Sequence, residues 1–318
     1  LLTSGWSIIL SVTTLPTAIT MTADAPATPL NPLNPLTPLI DAPRLQALLA
    51  DPARKLRVLD CSFDLANPAA GRQLFEAGHL PGAAYLHLDD DLAGGTTGRN
   101  GRHPLPDRAA FARRIAALGA DDDTLLVVCD RQGGMYAARL WWMLRWAGHA
   151  AATLLDGGVP AWQAAGGALE TGAAAARPAG GFTLRPALVA AVDHPHLREG
   201  LGRSGPLIVD ARAADRFRGE NETMDPIGGH IPGAANRCFR DNLAPDGRFN
   251  PAATLRAEWQ QVIAGRRPAE LVMSCGSGVT ACHNLLALAV AGLDGAALYP
   301  GSWSEWSAQP GAPVATGQ

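Results

Sequence analysis

In the stretch LVMSCGSGVTACHNLLALAV (Leu271–Val290) a cysteine stands between an apolar run and a helical pattern. LVMS has the composition of a buried strand, and ACHNLLALAVAGL reads as a helix. The six residues Cys275, Gly276, Ser277, Gly278, Val279 and Thr280 therefore join a strand end to a helix N-terminus. Such a terminus carries unpaired N–H groups and the positive end of the helix dipole. Two glycines in three positions let the loop curl until several N–H groups converge, forming an anion nest. A cysteine at its mouth would be stabilised as thiolate and nucleophilic near neutral pH. The same pattern also suits a small residue buried at a strand end, and the loop alone leaves both readings open.

A second copy of the arrangement lies upstream, in LLVVCDRQGGMYAARLWWML (Leu125–Leu144), where Asp130 takes the place of the cysteine. Three more blocks recur in the same order. LRVLDCS (Leu56–Ser62) returns as LIVDAR (Leu207–Arg212), GHLPGAAYL (Gly78–Leu86) as GHIPGAANR (Gly229–Arg237), and LLDGGVPAW (Leu154–Trp162) as LYPGSWSEW (Leu298–Trp306). A period near 150 residues marks a duplicated domain rather than an array of short repeats. It also gives the aspartate loop the look of a duplicated site that has lost its reagent.

The elements that must position these loops follow the same plan in both halves. Short apolar runs suited to strands buried on both faces alternate with helical patterns such as ARRIAALGA and ARLWWMLRWAG. Gly148 and Gly292 stand where such helices should stop. The predicted fold is α/β, two domains, each a mostly parallel sheet flanked by helices on both faces. The expected divisions are a tail over 1–36, a first domain over 37–167, a linker over 168–200 and the cysteine-bearing domain over 201–312.

The bulk numbers narrow the function. At 318 residues, 47% apolar and 17% charged, the chain has the material for two cores and is too mixed for disorder. A net charge of −3 gives no nucleic-acid footprint. The five cysteines are odd in number and form no C-x-x-C pair, which argues against a disulfide framework or zinc site and for a reducing compartment, the cytoplasm. Cys61 and Cys129 read as packing residues, and Cys282 as a buried residue two turns along the helix. The opening segment LLTSGWSIILSVTTLPTAIT has no Lys or Arg and no full apolar span, so neither an export signal nor a membrane anchor is expected, and the working chain is expected to start at Met21.

The combined pattern resembles the tandem-domain sulfurtransferases of the rhodanese superfamily, closest to the members that use 3-mercaptopyruvate. It is carried by CGSGVTA (Cys275–Ala281), GHIPGA and GHLPGA, DARAADRFRG (Asp210–Gly219) and PGSWSEW (Pro300–Trp306), and covers both halves. The resemblance implies two rhodanese-like domains, a persulfide formed on Cys275, a small-molecule sulfur donor, and a thiol, cyanide or thioredoxin-like acceptor. It calls for no metal or organic cofactor. The backbone of Gly276 to Thr280 would hold the sulfur anion. Phosphate-ester hydrolysis, a rival chemistry on this superfold, needs an arginine six residues after the cysteine to clamp the phosphoryl oxygens, and that position is Ala281.

The donor is read from the loop and its surroundings. Relatives that use thiosulfate, a compact dianion, carry basic residues directly after the cysteine, whereas Gly276 and Ser277 are neutral. Ser277 could polarise the carbonyl of a keto-acid donor, and Arg216 of DRFRG matches the carboxylate-binding arginine of the mercaptopyruvate enzymes. Those enzymes carry a second arginine before the GHIPG block, but ENETMDPIGGH has none. Arg218 or Arg212 could substitute, and thiosulfate use, or service as a persulfide carrier for a protein acceptor, stays open. His79 resembles a first-domain histidine proposed to assist proton transfer, while its twin His230 reads as structural. Arg102 and His103 of GRHPLP could lie on the cleft side, with a solvated loop as the default expectation.

Overall fold

The computed structural model describes Leu1, residues 37–202 and residues 205–317. The expected tail, including the start at Met21, thus lies outside the described residues apart from Leu1. The first half runs β1 (Leu39–Ile40), α1 (Ala42–Leu49), β2 (Leu56–Asp60), α2 (Ala70–Ala77), β3 (Ala84–Tyr85), α3 (Leu88–Asp91), α4 (Arg108–Ala117), β4 (Leu125–Cys129), α5 (Ala137–Trp146), β5 (Ala152–Leu155) and α6 (Gly158–Ala164). The second half runs β6 (Ala190–Ala191), α7 (His194–Glu199), β7 (Leu207–Asp210), α8 (Ala214–Arg218), β8 (Ala235–Asn236), α9 (Ala252–Ile263), β9 (Leu271–Ser274), α10 (Thr280–Val290), β10 (Ala297–Leu298) and α11 (Ser302–Trp306).

The sheets have the orders β1-β5-β4-β2-β3 and β6-β10-β9-β7-β8, and every ladder between named strands is parallel. The two orders are the same permutation, so the duplication seen in the sequence is a duplication of topology. The central strands β4 (LLVVC) and β9 (LVMS) are buried throughout, because helices cover both faces of a parallel sheet. Helix ends follow the chemistry of their caps. Asp107 accepts the Ala110 N–H at the start of α4 (2.8 Å), and Gly148 and Gly292 follow the ends of α5 and α10 with positive φ.

One boundary differs from the sequence reading. Residues 190–199 fall inside the expected linker, yet β6 pairs with β10, and α7 buries Leu197 in the outer core of the second half. A two-residue strand of alanines has no apolar run to announce it; only the neighbouring strand defines it.

A single apolar cluster crosses between the halves. It includes Leu140 and Leu144 of α5 and Leu286 and Leu288 of α10, and a smaller cluster fills the far face of each sheet. His283 of α10 is fully buried in this seam. Its Nε2 lies 3.1 Å from Gly133 O in the first half, and its ring stacks on Phe249 at 4.5 Å. No helix among the described residues is long and apolar enough to cross a membrane.

Burial lowers the pKa of His283 to about 4. The unfolded chain then takes up this proton first, near 6.5, so stability falls as pH drops from about 6.5 to about 4 and is unaffected above that window. Thermal melts of wild type and His283→Phe across this range should show a shallower pH slope in the variant, whatever its absolute Tm; equal slopes would reject the assignment.

Candidate active site

Cys275 directly follows β9 and is 1% exposed. Its Sγ accepts the N–H of Gly278 at 3.1 Å and of Ser277 at 3.4 Å. The loop can turn its N–H groups inward because its carbonyls are taken elsewhere. Cys275 O accepts from Trp303 N (3.0 Å), Gly276 O from Ser304 N (2.9 Å) and Gly278 O from the Arg139 guanidinium (3.1 Å). Gly278 has φ +77, and a Cβ there would overlap Pro300 O, so the turn needs glycine. Val279 and Thr280 lie at the start of α10, where N–H groups lack intrahelical partners, and both line the cleft with Gly276 and Ser277.

The twin loop shows the same nest filled. Asp130 Oδ1 accepts Gln132 and Gly134 N–H (2.9 and 2.8 Å), and Oδ2 accepts Tyr136 and Ala137 N–H (2.8 and 2.9 Å). A fixed carboxylate occupies the place where the second half has a thiol, which demonstrates that this loop geometry binds an anion.

The cleft in front of Cys275 measures about 280 Å³ and is walled by both halves. The first half supplies Arg102 and His103, for which a solvated loop is the default expectation from sequence. Instead, His103 is 6% exposed; its Nδ1 lies 2.7 Å from Ser277 Oγ and its Nε2 3.4 Å from Asp89 Oδ1. Burial and the nearby Arg139 and Arg102 lower the His103 pKa to about 4, so the ring is neutral at pH 7. Asp89, His103 and Ser277 thus line up across the seam, with the imidazole within hydrogen-bond distance of the Ser277 hydroxyl.

Arg216 lines the cleft and donates to Glu222 Oε1 at 2.8 Å, with Asp225 at 3.6 Å; Arg102 pairs with Asp225. A Cβ on Gly276 would stand 2.9 Å from Arg102 Nη2 and 3.7 Å from Arg216 Nη2. Two guanidinium groups therefore sit side by side above the residue that follows the cysteine. The segment without an arginine contributes their carboxylate counterions, and the second arginine comes from the other domain.

Three expected site residues are placed differently. His79 is buried on Phe75, with ring centroids 3.9 Å apart and Nδ1 2.9 Å from Phe75 O, and does not line the cleft. His230 repeats this contact on Phe217 (3.7 Å, and 2.8 Å to Phe217 O), so the twin histidines share a turn-bracing role. Arg218 pairs with Glu220 on the surface, also outside the cleft. Arg212 reaches the cleft wall, but Asp210, Glu222 and Gly229 O hold its guanidinium, which lies over Trp303 at 4.9 Å.

Sequence reasoning missed Arg139 and Ser302. Arg139, a charge inside the apolar run ARLWWML, is fully buried on α5 and also donates to Leu92 O and His103 O. It braces the nest and the His103 segment from one point. Ser302 takes φ +53 where its twin Gly158 has φ +58. Its Oγ accepts Cys275 N–H at 3.0 Å and lies 4.0 Å from Sγ. A serine where the repeat has glycine was the available signal. Cys282 is buried against Gly278 O at 3.3 Å, outside the cleft, and burial pushes its pKa up to about 12.

Twin α/β domains with one anion nest loaded with cysteine define a class, and the rhodanese-like domain family matches the chain twice, over residues 41–165 and 194–309. The chain belongs to this family, as a tandem-domain member in which the loop of the second domain carries Cys275. It is 47% identical over 281 residues, 88% of this chain and 98% of the relative, to the "Probable 3-mercaptopyruvate sulfurtransferase" of Pseudomonas aeruginosa. To a thiosulfate sulfurtransferase of Cricetulus griseus it is 34% identical over 262 residues, covering 79% and 84% of the two chains. The solved 3-mercaptopyruvate sulfurtransferase from Leishmania major superposes with a TM-score of 0.77 at 30% identity, over 88% of this chain and 76% of that one.

Gly278→Ala should keep the fold but open the nest. A positive-φ glycine that also abuts Pro300 leaves no room for a methyl, so we expect roughly 1–3 kcal/mol of lost stability and at least about tenfold lower turnover. Chemical denaturation and steady-state assays would check both; wild-type turnover would remove the nest from the chemistry.

Proposed function

We propose that the protein is a sulfurtransferase that takes sulfur from 3-mercaptopyruvate onto Cys275 and passes it to a thiol, cyanide or thioredoxin-like acceptor. The single observation that carries the donor assignment is the pair Arg102 and Arg216 beside Gly276, with the neutral loop between them and Cys275. Two guanidinium forks suit a planar carboxylate on an extended donor. Their counterions Glu222 and Asp225 hold them in place and give way as the donor carboxylate arrives.

In this reading the Cys275 thiolate attacks the donor sulfur in line with its bond to carbon. That bond breaks and its electron pair becomes an enolate, whose charge develops on the carbonyl oxygen. The Ser277 hydroxyl, aligned by His103, donates a hydrogen bond to that oxygen. The thiol proton of the donor passes through the Ser277–His103 pair to the enolate carbon, leaving pyruvate and a Cys275–S–S⁻ persulfide. His103 holds the proton only in passing, because burial disfavours its charged form and drives the proton onward. The inward N–H groups of the Gly276–Thr280 loop then hold the persulfide anion. The five free cysteines support work in a reducing compartment, which we take to be the cytoplasm.

Cys275→Ser should abolish both pyruvate release and the mass gain of about 32 Da that marks the persulfide; retained turnover would refute the assignment. Arg216→Ala and Arg102→Ala should each raise KM for mercaptopyruvate by roughly tenfold while the persulfide still forms at high donor. An unchanged KM in both would shift the preference to thiosulfate, which the ratio of kcat/KM for the two donors measures directly. For His103 the working form is neutral, so its acid limb in kcat should fall near pH 4; a limb near 6.5 that vanishes in His103→Gln would contradict the relay.

A further inference from the structure

Four arginines line the cleft: Arg102, Arg212, Arg216 and Arg240. Three are neutralised internally, by Asp225, by Asp210 with Glu222, and by Glu222 with Asp225. Arg240 differs. It is exposed and lies over the edge of the cleft residue Phe239, with its guanidinium carbon 5.8 Å from the ring centroid. Among the described residues no ion pair or side-chain hydrogen bond joins it. It occupies the short turn Phe239–Asn242 after β8, and β8 is separated from β9 by one intervening strand, β7. Two strand spacings separate the ends of β8 and β9 by about 10 Å, whereas Arg102 and Arg216 adjoin Gly276.

We infer that Arg240 is the cation of an acceptor-binding subsite, which favours small thiols bearing a carboxylate as takers of the Cys275 sulfur. The inference rests on the persulfide reading above. The donor's charge is met deep in the cleft by Arg102 and Arg216, so a separate unpaired guanidinium has no role in loading. The acceptor meets a different geometry. Its sulfur must reach the terminal sulfur, which stands about 2 Å beyond Sγ, while its remainder extends toward the open side.

That side is built to hold it. Leu65 from the first half and Met224 from the second line the same cleft and are 40% and 42% exposed, offering apolar contact to a carbon backbone. Arg240 offers the charge. In the transfer the acceptor thiol passes its proton to the terminal sulfur of Cys275–S–S⁻ as its own sulfur attacks that atom. The bond between that sulfur and Sγ breaks, and the products are the acceptor persulfide R–S–SH and the Cys275 thiolate. No oxidant or reductant is consumed. A neutral thiol undergoes the same exchange but gains nothing from Arg240.

The test separates the two half-reactions. Wild type, Arg240→Ala, Arg240→Glu and Arg240→Lys are loaded with 3-mercaptopyruvate and desalted, and loss of the persulfide is followed by mass spectrometry with glutathione or with 2-mercaptoethanol. We expect loading to be unchanged in all four. With glutathione the second-order rate should fall roughly three- to fivefold in Arg240→Ala and roughly tenfold in Arg240→Glu, magnitudes suited to an exposed ion pair, and recover in Arg240→Lys. With 2-mercaptoethanol it should not move, and added salt should shrink the glutathione effect. Equal losses with both thiols, or no loss with either, would overturn the subsite. Failure of wild type to load would overturn the persulfide reading, and the subsite with it.

Discussion

The site depends on a loop whose backbone has been turned inside out. Burying several N–H groups around one point is costly unless an anion fills the point and the opposing carbonyls find donors. Both conditions are met here by neighbours in space. Trp303 and Ser304 N–H groups from α11, and Arg139 from the other domain, take the carbonyls. In the first half the Asp130 carboxyl fills that point, with four N–H partners. In the second half the Ser277 and Gly278 N–H groups point at Cys275 Sγ, so in the proposed reaction the stabilisation built into the fold is available to the persulfide. The left-handed Ser302, in the place of a glycine, fits the same logic, because its hydroxyl caps the Cys275 N–H.

Duplication has divided the labour rather than left one half idle. The domain without Cys275 contributes the histidine beside Ser277, one of the two cleft arginines beside Gly276, and the buried arginine that braces the loop. These groups can be positioned to within a hydrogen bond only because α5 and α10 share one core across the seam, and close-packed interiors transmit position faithfully. The electrostatics follow from the same burial. A histidine near two arginines and away from water has its pKa lowered and stays neutral.

Much of this was legible in order along the chain. The repeat, the alternation of strands and helices, the reactive loop and its silenced twin are local patterns, and local patterns survive without coordinates. The mis-readings share a physical cause. His79 sits in GHLPGA as His230, expected to be structural, sits in GHIPGA, and both make the same local contact, a ring on the phenylalanine of the preceding helix; a shared motif therefore marks structure. His103 and Arg102 sit in GRHPLP, a stretch with no periodicity, and their importance arises from what the other domain brings opposite them. The strand Ala190–Ala191 was invisible for a similar reason, since its only definition is its pairing with β10.

The sequence by itself determined the class of chemistry: a cysteine at a strand–helix junction with two glycines, duplicated once with an aspartate, and an alanine where a phosphatase needs arginine. These are properties of short windows, where backbone freedom and residue type already constrain the outcome. The tertiary structure alone decided which side chains complete the site. The second guanidinium beside Gly276 belongs to Arg102, more than a hundred residues before ENETMDPIGGH, and the serine of the loop finds its histidine 174 residues away. Such pairings are set by how two packed domains meet along a common core, and no window of sequence contains both partners.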